Sequence, residues 1–347
     1  MRSYSKAALL AAVATIMRMQ PLPAQQRPHY TQYILNNYIV NPALTGIENY
    51  TDIKLSHRNQ WVGFPGAPQT FYATIHGPLG KKDYRTTPTS FEVPGNNPRG
   101  RAYWEEYTAA EPHHGIGAGI VNFKTGYINR SMITGSYAYH IGLSPTWNLS
   151  AGFAAGISTI TIDGSKVELA NPIDPAIGAA ATELRRVRPE LNAGLWLYSS
   201  SFFAGLSAQQ IIPSKYSLNN PDLSRSTLVP HLFATAGYRF LLNEDVNLIP
   251  SVMLRYVANM PFFTDINVKA QYHDRLWIGA NYRFREGVAA MAGVNISNTF
   301  NISYSYDSYF NRQTTYLLPY MQRGSHEIVL GFLLGNRYGD LCPRRVW

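Results

Sequence analysis

The chain has 347 residues, 45% hydrophobic, 13% aromatic and only 15% charged, too apolar for a disordered chain and too poor in charge for an ordinary soluble domain. The longest apolar run, Ala7 to Met17, falls short of the roughly 18 residues a spanning helix needs, and the mean hydropathy of -0.18 agrees, so a helical membrane protein is excluded. A formal charge of +9 is too mild to argue for nucleic acid, while 24 Tyr, 27 Gly and 22 Pro favour strands and turns.

From the N-terminus, Arg2 and Lys6 precede the apolar run and Leu22-Pro23-Ala24 ends on a small residue, the pattern of a secretory signal spanning 1–24. Residues 25–50 are rich in Tyr and Asn and end in Asn41-Pro42-Ala43-Leu44-Thr45-Gly46, a turn signal, so they read as an N-terminal plug or periplasmic lead-in. Beyond them, about fourteen segments alternate apolar with polar or small residues, near 51–58, 69–77, 115–124, 129–141, 147–160, 188–198, 201–211, 231–241, 246–257, 265–273, 275–285, 287–297, 299–307 and 325–334. In 266–273, for instance, Ile266, Val268, Ala270 and Tyr272 alternate with Asn267, Lys269, Gln271 and His273.

Most segments have about the 9 to 11 residues of a tilted membrane-crossing strand, which predicts an all-β transmembrane antiparallel barrel over 51–334. With both ends in the periplasm, the connections near 142–146, 199–200, 242–245, Asp274 and Asn298 are short inner turns. Those near 161–187, 212–230 and 308–324 are long outer loops, the asymmetry of an outer-membrane barrel. The Pro-rich stretch 78–114 is predicted to be a periplasmic insertion, and 335–347 a C-terminal tail. The rings of Tyr238, Phe240, Tyr282, Phe284, Tyr304 and Tyr306 fall near strand ends on the apolar face, where a headgroup-level girdle belongs.

No nucleophile elbow, H-E-x-x-H helix, phosphate loop or Cys-rich spacing occurs, so no catalytic, cofactor-binding or metal site is assigned and no cofactor is expected. The single cysteine, Cys342, forms no intrachain disulfide. His113 and His114 would face opposite sides of a strand. His57, His76, His140 and His273, with Asp52 and Asp265, are the residues a barrel hydrolase would draw on. On these registers Lys54, Arg58, Arg239, Arg255, Lys269, Arg283 and Arg285 face inward against Asp52, Asp265 and Asp307. A basic interior of this kind would attract an anionic solute, pair with an acidic plug or hold scattered ion pairs.

The segment Arg58-Asn59-Gln60-Trp61-Val62-Gly63-Phe64-Pro65-Gly66-Ala67-Pro68-Gln69-Thr70, preceded by Tyr30-Thr31-Gln32-Tyr33 and the Asn41 to Gly46 run, resembles the opening of the PorP/SprF family of the type IX secretion system of Bacteroidota. Ser303-Tyr304-Ser305-Tyr306-Asp307, then Gly324-Ser325-His326-Glu327-Ile328 and Cys342-Pro343-Arg344, are similar to that family's C-terminal signature, in the same order. The resemblance implies a non-catalytic barrel in the cell outer membrane, held in outer-membrane lipid and serving surface adhesin export or gliding motility. Its implied partners are periplasmic ring or peptidoglycan-binding proteins of the secretion system, or the C-terminal sorting domain of a secreted adhesin. The insertion is longer than is usual in the family, and the chain ends Arg344-Arg345-Val346-Trp347 rather than in a Phe pair. Candidate partner-binding residues are Tyr103, Trp104 and Tyr107 in the insertion, with Glu105 and Glu106, and Tyr216, Tyr309, Phe310, Tyr316 and Tyr320 in the outer loops, where large rings make contact hot spots. The alternative function is an outer-membrane channel or porin for small solutes.

Overall fold

A computed structural model describes residues 30–81, 107–163, 184–212, 214–216, 226–243, 245–258, 260–273, 275–284, 286–310 and 324–335. The signal region, Tyr103, Trp104, Glu105, Glu106, Arg285, Tyr316, Tyr320 and the tail from 336, including Cys342, lie outside the described residues.

The first seven strands are β1 (Thr51–Asn59), β2 (Gln69–Leu79), β3 (His113–Thr125), β4 (Ile128–Gly142), β5 (Asn148–Ile162), β6 (Leu184–Tyr198) and β7 (Phe202–Gln209). A short hairpin, β8 (Ser214–Tyr216) with β9 (Ser226–Leu228), follows. Then come β10 (His231–Tyr238) and its continuation β11 (Phe240–Leu241), and β12 (Val246–Val257), β13 (Phe263–Tyr272), β14 (Leu276–Arg283), β15 (Gly287–Asn295), β16 (Phe300–Tyr309) and β17 (Ser325–Leu334). Each strand pairs antiparallel with its sequence neighbour around the ring. β10 meets β12 from His231↔Val257 to Gly237↔Ser251, and β1 meets β17 from Thr51↔Leu334 to Asn59↔His326. The last pairing closes a ring of 14 strands. Closure is what the bilayer demands, because hydrocarbon cannot hydrogen-bond a free sheet edge.

The alternation inverts the order of a soluble protein. On β13 and β14, Asn267, Lys269, Gln271, Asn281 and Arg283 are buried inside, while Ile266, Val268, Ile278 and Tyr282 are exposed outside, Ile278 at 65%. Tyr238, Phe240, Tyr282, Phe284 and Tyr304 are likewise exposed on the outer surface, in bands near both ends of the barrel. The short turns at 143–147, 199–201, 242–245, 273–275 and 296–299 share one end with the start of β1 and the finish of β17. That end is the periplasmic one, since outer-membrane barrels keep short turns inside.

Three boundaries depart from the sequence reading. β2 runs through Gly77-Pro78-Leu79 and β3 begins at His113, so the inner insertion is 80–112 rather than 78–114; Pro78 is tolerated near the strand end, opposite Gly115. β6 starts at 184 rather than 188, because the Arg185-Arg186-Val187-Arg188-Pro189 run hides its alternation, and β7 stops at Gln209 rather than 211. Tyr309 is the last residue of β16, not a loop residue.

Residues 30–50 lie inside the ring. They form three short 3-10 turns, Tyr33–Leu35, Asn37–Ile39 and Pro42–Leu44, whose side chains are buried against the inward faces of the strands. Trp196, Tyr198 and Phe203 pack on Tyr38, Ala43, Leu44 and Ile47, while Trp277, Met291 and Leu333 pack on Ile34, Leu35 and Tyr50. The core therefore sits between this lumenal segment and the wall.

The outside-in polarity sets the cost of a charge by depth. Ile278→Arg, on the lipid face, is expected to cost ~2–4 kcal/mol in a lipid-vesicle unfolding titration, and Phe240→Arg, near the inner edge, ~0–1 kcal/mol. Equal costs at the two positions would contradict a membrane-crossing wall.

Candidate functional site

The lumenal segment is attached to the wall at three levels. At the inner end, Gly46 takes a positive φ of 74° and lies so close to β3 that a Cβ there would stand 2.5 Å from Gly115 Cα. The Gly46 amide donates to His76 Nδ1 at 3.2 Å, and His140 Nε2 donates to the Thr45 carbonyl at 2.9 Å. Carbonyl oxygens only accept, so the Nε2 of His140 carries the proton and its Nδ1 is left to accept from Tyr198, 3.2 Å away. His113 stacks on His140 at 4.5 Å and is buried, whereas His114 faces outward and meets Tyr137.

At mid-height, Asn41 caps the Pro42–Leu44 turn by accepting from the Ala43 amide at 2.9 Å, while its Nδ2 donates to the Leu195 and Leu206 carbonyls at 3.0 and 3.2 Å. A Cβ at Gly194 would overlap Asn41 Oδ1 and one at Gly205 would overlap Trp196, so the two glycines open the wall for this wedge. Around it Tyr38 bonds Ser136 at 2.8 Å, Ser207 donates to the Val40 carbonyl, and Gln209 donates to those of Ile39 and Val40 at 2.9 Å. Burial pushes the Tyr38 phenol above its usual range, against the lowering effect of Ser136.

At the outer end the charges gather. Arg58 lies 2.7 Å from Asp307 Oδ2 and 3.2 Å from Glu327 Oε2, and Arg283 lies 3.1 Å from Asp307 Oδ1, all four groups buried. Thr31 of the lumenal segment sits among them. Its hydroxyl accepts from Arg58 and, at 2.6 Å, from Arg283, and donates to Asp307 at 2.8 Å; its amide donates to Glu327 at 3.0 Å. Arg58 also donates to Tyr309 Oη at 3.1 Å, and Tyr309 meets Ser325 at 3.1 Å. Ser325 accepts from the Trp61 amide at 3.2 Å, and Gly324 accepts from Val62 at 3.2 Å. The outer turn 60–68 is thus bound to the finish of the loop before β17. In the neighbouring turn 284–286, burial raises the Glu286 carboxyl, opposed by Arg255.

The segments that carried the family resemblance divide by role. Asn41, Pro42 and Gly46 fix the lumenal segment; Arg58, Asp307, Ser325 and Glu327 form the outer cluster; Gln60, Trp61, Gly63, Phe64, Gly66, Ala67, Pro68 and Gly324 shape or anchor the outer turn. In that turn Gln60 donates to the Pro68 carbonyl and Gly66 accepts from Gly126. Tyr306 and His326 are on the outer surface, their rings 5.3 Å apart, with Tyr304 Oη 2.5 Å from His326 Nδ1.

The basic interior is paired with acids of the wall and its turns rather than with an acidic plug: Lys54 bonds Asp52, and Arg255 lies 4.0 Å from Glu286. Of the other named histidines, His57 faces outward, His76 lies 4.0 Å from Asp52 while bonded to Gly46, and His273 is at an inner turn 3.4 Å from Asp245. Among the candidate partner residues, Tyr107 is buried at the inner end and accepts from Asn148 at 3.1 Å, Tyr309 belongs to the outer cluster, and Phe310 is exposed. For Tyr216 the structure gives the backbone in the outer hairpin. Sequence reasoning missed Thr31 and the Gly194/Gly205 opening, whose meaning depends on what crosses from the lumen.

Arg58→Ala leaves Asp307 and Glu327 buried with one cation fewer and is expected to cost ~3–5 kcal/mol in unfolding titrations. Arg58→Lys, which keeps the charge and loses the two-pronged geometry, should fall between it and the native chain. An unchanged midpoint for Arg58→Ala would contradict the cluster's role.

Curated proteins give no match to this sequence. Among solved structures, the chain is similar to the Acinetobacter baumannii outer membrane protein Omp33 at 8% identity, covering 84% of this chain and 100% of that one, TM-score 0.43. It is similar to the Ralstonia pickettii toluene transporter TbuX at 9% identity, covering 87% and 92%, TM-score 0.46. A Pseudomonas aeruginosa FadL homologue is similar at 8% identity, covering 89% and 94%, TM-score 0.42. The sequence matches the family described as type IX secretion system membrane protein PorP/SprF over residues 22–332. That span takes in the lumenal segment, the ring and the outer cluster together, and the chain belongs to the PorP/SprF family of type IX secretion system outer-membrane β-barrels.

Proposed function

We propose that this barrel is a non-catalytic fixture of the secretion system. In this reading it is a rigid post in the outer membrane that engages the C-terminal sorting domain of a secreted surface protein at its outer end, and periplasmic ring or peptidoglycan-binding proteins at its inner end. The observation that carries the reading is the filled interior. Asn41, Thr45, Gly46 and Thr31 bind the wall from end to end, which suits a stiff docking scaffold and opposes a solute path. The connections suit the same division of labour: the long insertion 80–112 lies at the inner end, and the long loops 163–183, 210–230 and 310–324 lie at the outer end.

A mild-detergent pull-down from native membranes, with identification of what remains bound, tests the reading. Co-purification of a secretion-system periplasmic protein or an exported surface protein is the expected result, and its consistent failure overturns the proposal. In planar bilayers the purified protein should pass no steady current; a stable open conductance would favour the channel alternative.

A further inference from the structure

The ring is not level at its outer rim. β5 and β6 pair along their full length, from Ile162↔Leu184 to Asn148↔Tyr198, but β7 pairs with β6 only from Ala193↔Ala208 to Tyr198↔Phe203. The separation has a local cause. Gln210 takes a positive φ of 57°, its amide is captured by Asn192 Oδ1 at 2.9 Å, and the last contact between the two chains is Ile211 N–H to the Leu191 carbonyl at 3.0 Å. This kink peels the chain away from β6. Residues 185–190 of β6 are left with β5 on one side and, among the described residues, no strand on the other.

The direction of the backbone groups follows from the same bond. Neighbouring residues of a strand point their N–H and C=O to opposite sides, so the orientation of Leu191 is shared by Pro189, Val187 and Arg185. Proline fits this assignment, for its missing N–H falls on the side without a ladder, where a strand can spare it. The open side thus offers the N–H groups of Arg185 and Val187 and the carbonyls of Arg185, Val187 and Pro189. Hydrocarbon does not tolerate such an edge, so it belongs in the aqueous space above the outer leaflet. Val187 is 57% exposed there.

Two further features meet at this edge. At its foot, on the lumenal side, is a cavity with about 540 Å³ of empty space, bordered by Ile39, Val121, Met132, Glu190, Asn192 and Gln209. Along it are Arg185, Arg186 and Arg188 against the single acid Glu190. We propose that the outer half of β6, residues 185–190, receives one extended, acidic strand of an exported protein by β-addition. Backbone bonds to Arg185, Val187 and Pro189 supply the pairing, the arginines draw the acidic residues, and every second side chain of the guest turns toward the cavity, where an apolar residue meets Val121 and Met132. This inference rests on the reading of the barrel as an acceptor of exported proteins, and it names the place and the chemistry of the acceptance.

The test uses the full-length protein in detergent. By amide hydrogen exchange, Arg185 and Val187 should exchange rapidly while Leu195 and Leu197, inside the paired region, are protected; slow exchange at 185 and 187 overturns the proposal. The probe for binding is the isolated C-terminal sorting domain of a surface protein exported by the same cells, titrated onto wild type, Val187→Pro and Val187→Thr. Val187→Pro removes one edge donor and leaves the ladder to β5 in place, so its binding should fall tenfold or more, while Val187→Thr should bind as wild type. Heat-modifiable gel mobility reports that each variant has closed its barrel; should Val187→Pro fail it, Val187→Cys blocked by a bulky thiol reagent takes its place. Binding that is equal in wild type and the edge variants overturns strand addition and leaves the acceptor reading standing. Failure of the wild type to bind the domain overturns the acceptor reading and this inference with it.

Discussion

Hydrocarbon offers no hydrogen bonds, and that constraint organises the whole molecule. A chain that crosses with strands must close the sheet on itself, which turns one face of every strand to lipid and the other to a narrow interior. In this protein the inward face carries Asp52, Lys54, Arg58, Asn267, Lys269, Arg283, Asp307 and Glu327, all buried. Buried polar groups need partners, and a ring filled with water would let the wall relax around its charges. The chain instead supplies residues 30–50 as an inner lining, so that Thr31 completes the coordination of two guanidiniums and two carboxylates, and Asn41 binds carbonyls of the wall directly.

The outer cluster links parts of the chain that are far apart in sequence. Arg58 leads into the outer turn 60–68, Asp307 and Tyr309 precede the loop 310–324, and Ser325 and Glu327 follow it. Through Thr31 the lumenal segment is held to all three. A load applied at the outer mouth is therefore passed to the wall and the interior through short, charge-assisted bonds, which are about twice as strong as neutral ones. That is a mechanical property suited to a docking post. The three arginines and the unpaired backbone of outer β6 rise above this rigid rim, on the side where the strands are tallest.

Much of the fold was legible because strands in a membrane wall have a strict period of two. Asn267, Lys269 and Gln271 against Ile266, Val268 and Ala270 admit one register, and a slip of one residue would put lysine in lipid. The reading failed where the period is broken by chemistry. In Arg185-Arg186-Val187-Arg188-Pro189 the strand leaves the bilayer, both faces become wet, and apolar alternation ceases to mark it. Gly77-Pro78-Leu79 was lost for a similar reason, since strand ends near the headgroups accept proline. At the site, the motif residues stood out in the sequence, but their division into a wedge, an ion cluster and an external ring pair did not. The partners are separated by as many as 296 residues, as in the bond from Thr31 to Glu327.

The sequence by itself determined the strand period, the sign of each face, the placement of short and long connections and the family, because each of these is written in local alternation or in contiguous motifs. Only the tertiary structure decided that Arg58 serves Asp307 and Glu327, that Gly194 and Gly205 make room for Asn41, and that Gln210 turns the chain away from β6. Those outcomes depend on which strands become neighbours when the ring closes and on what then occupies its interior, and closure is a property of the whole sheet rather than of any one strand.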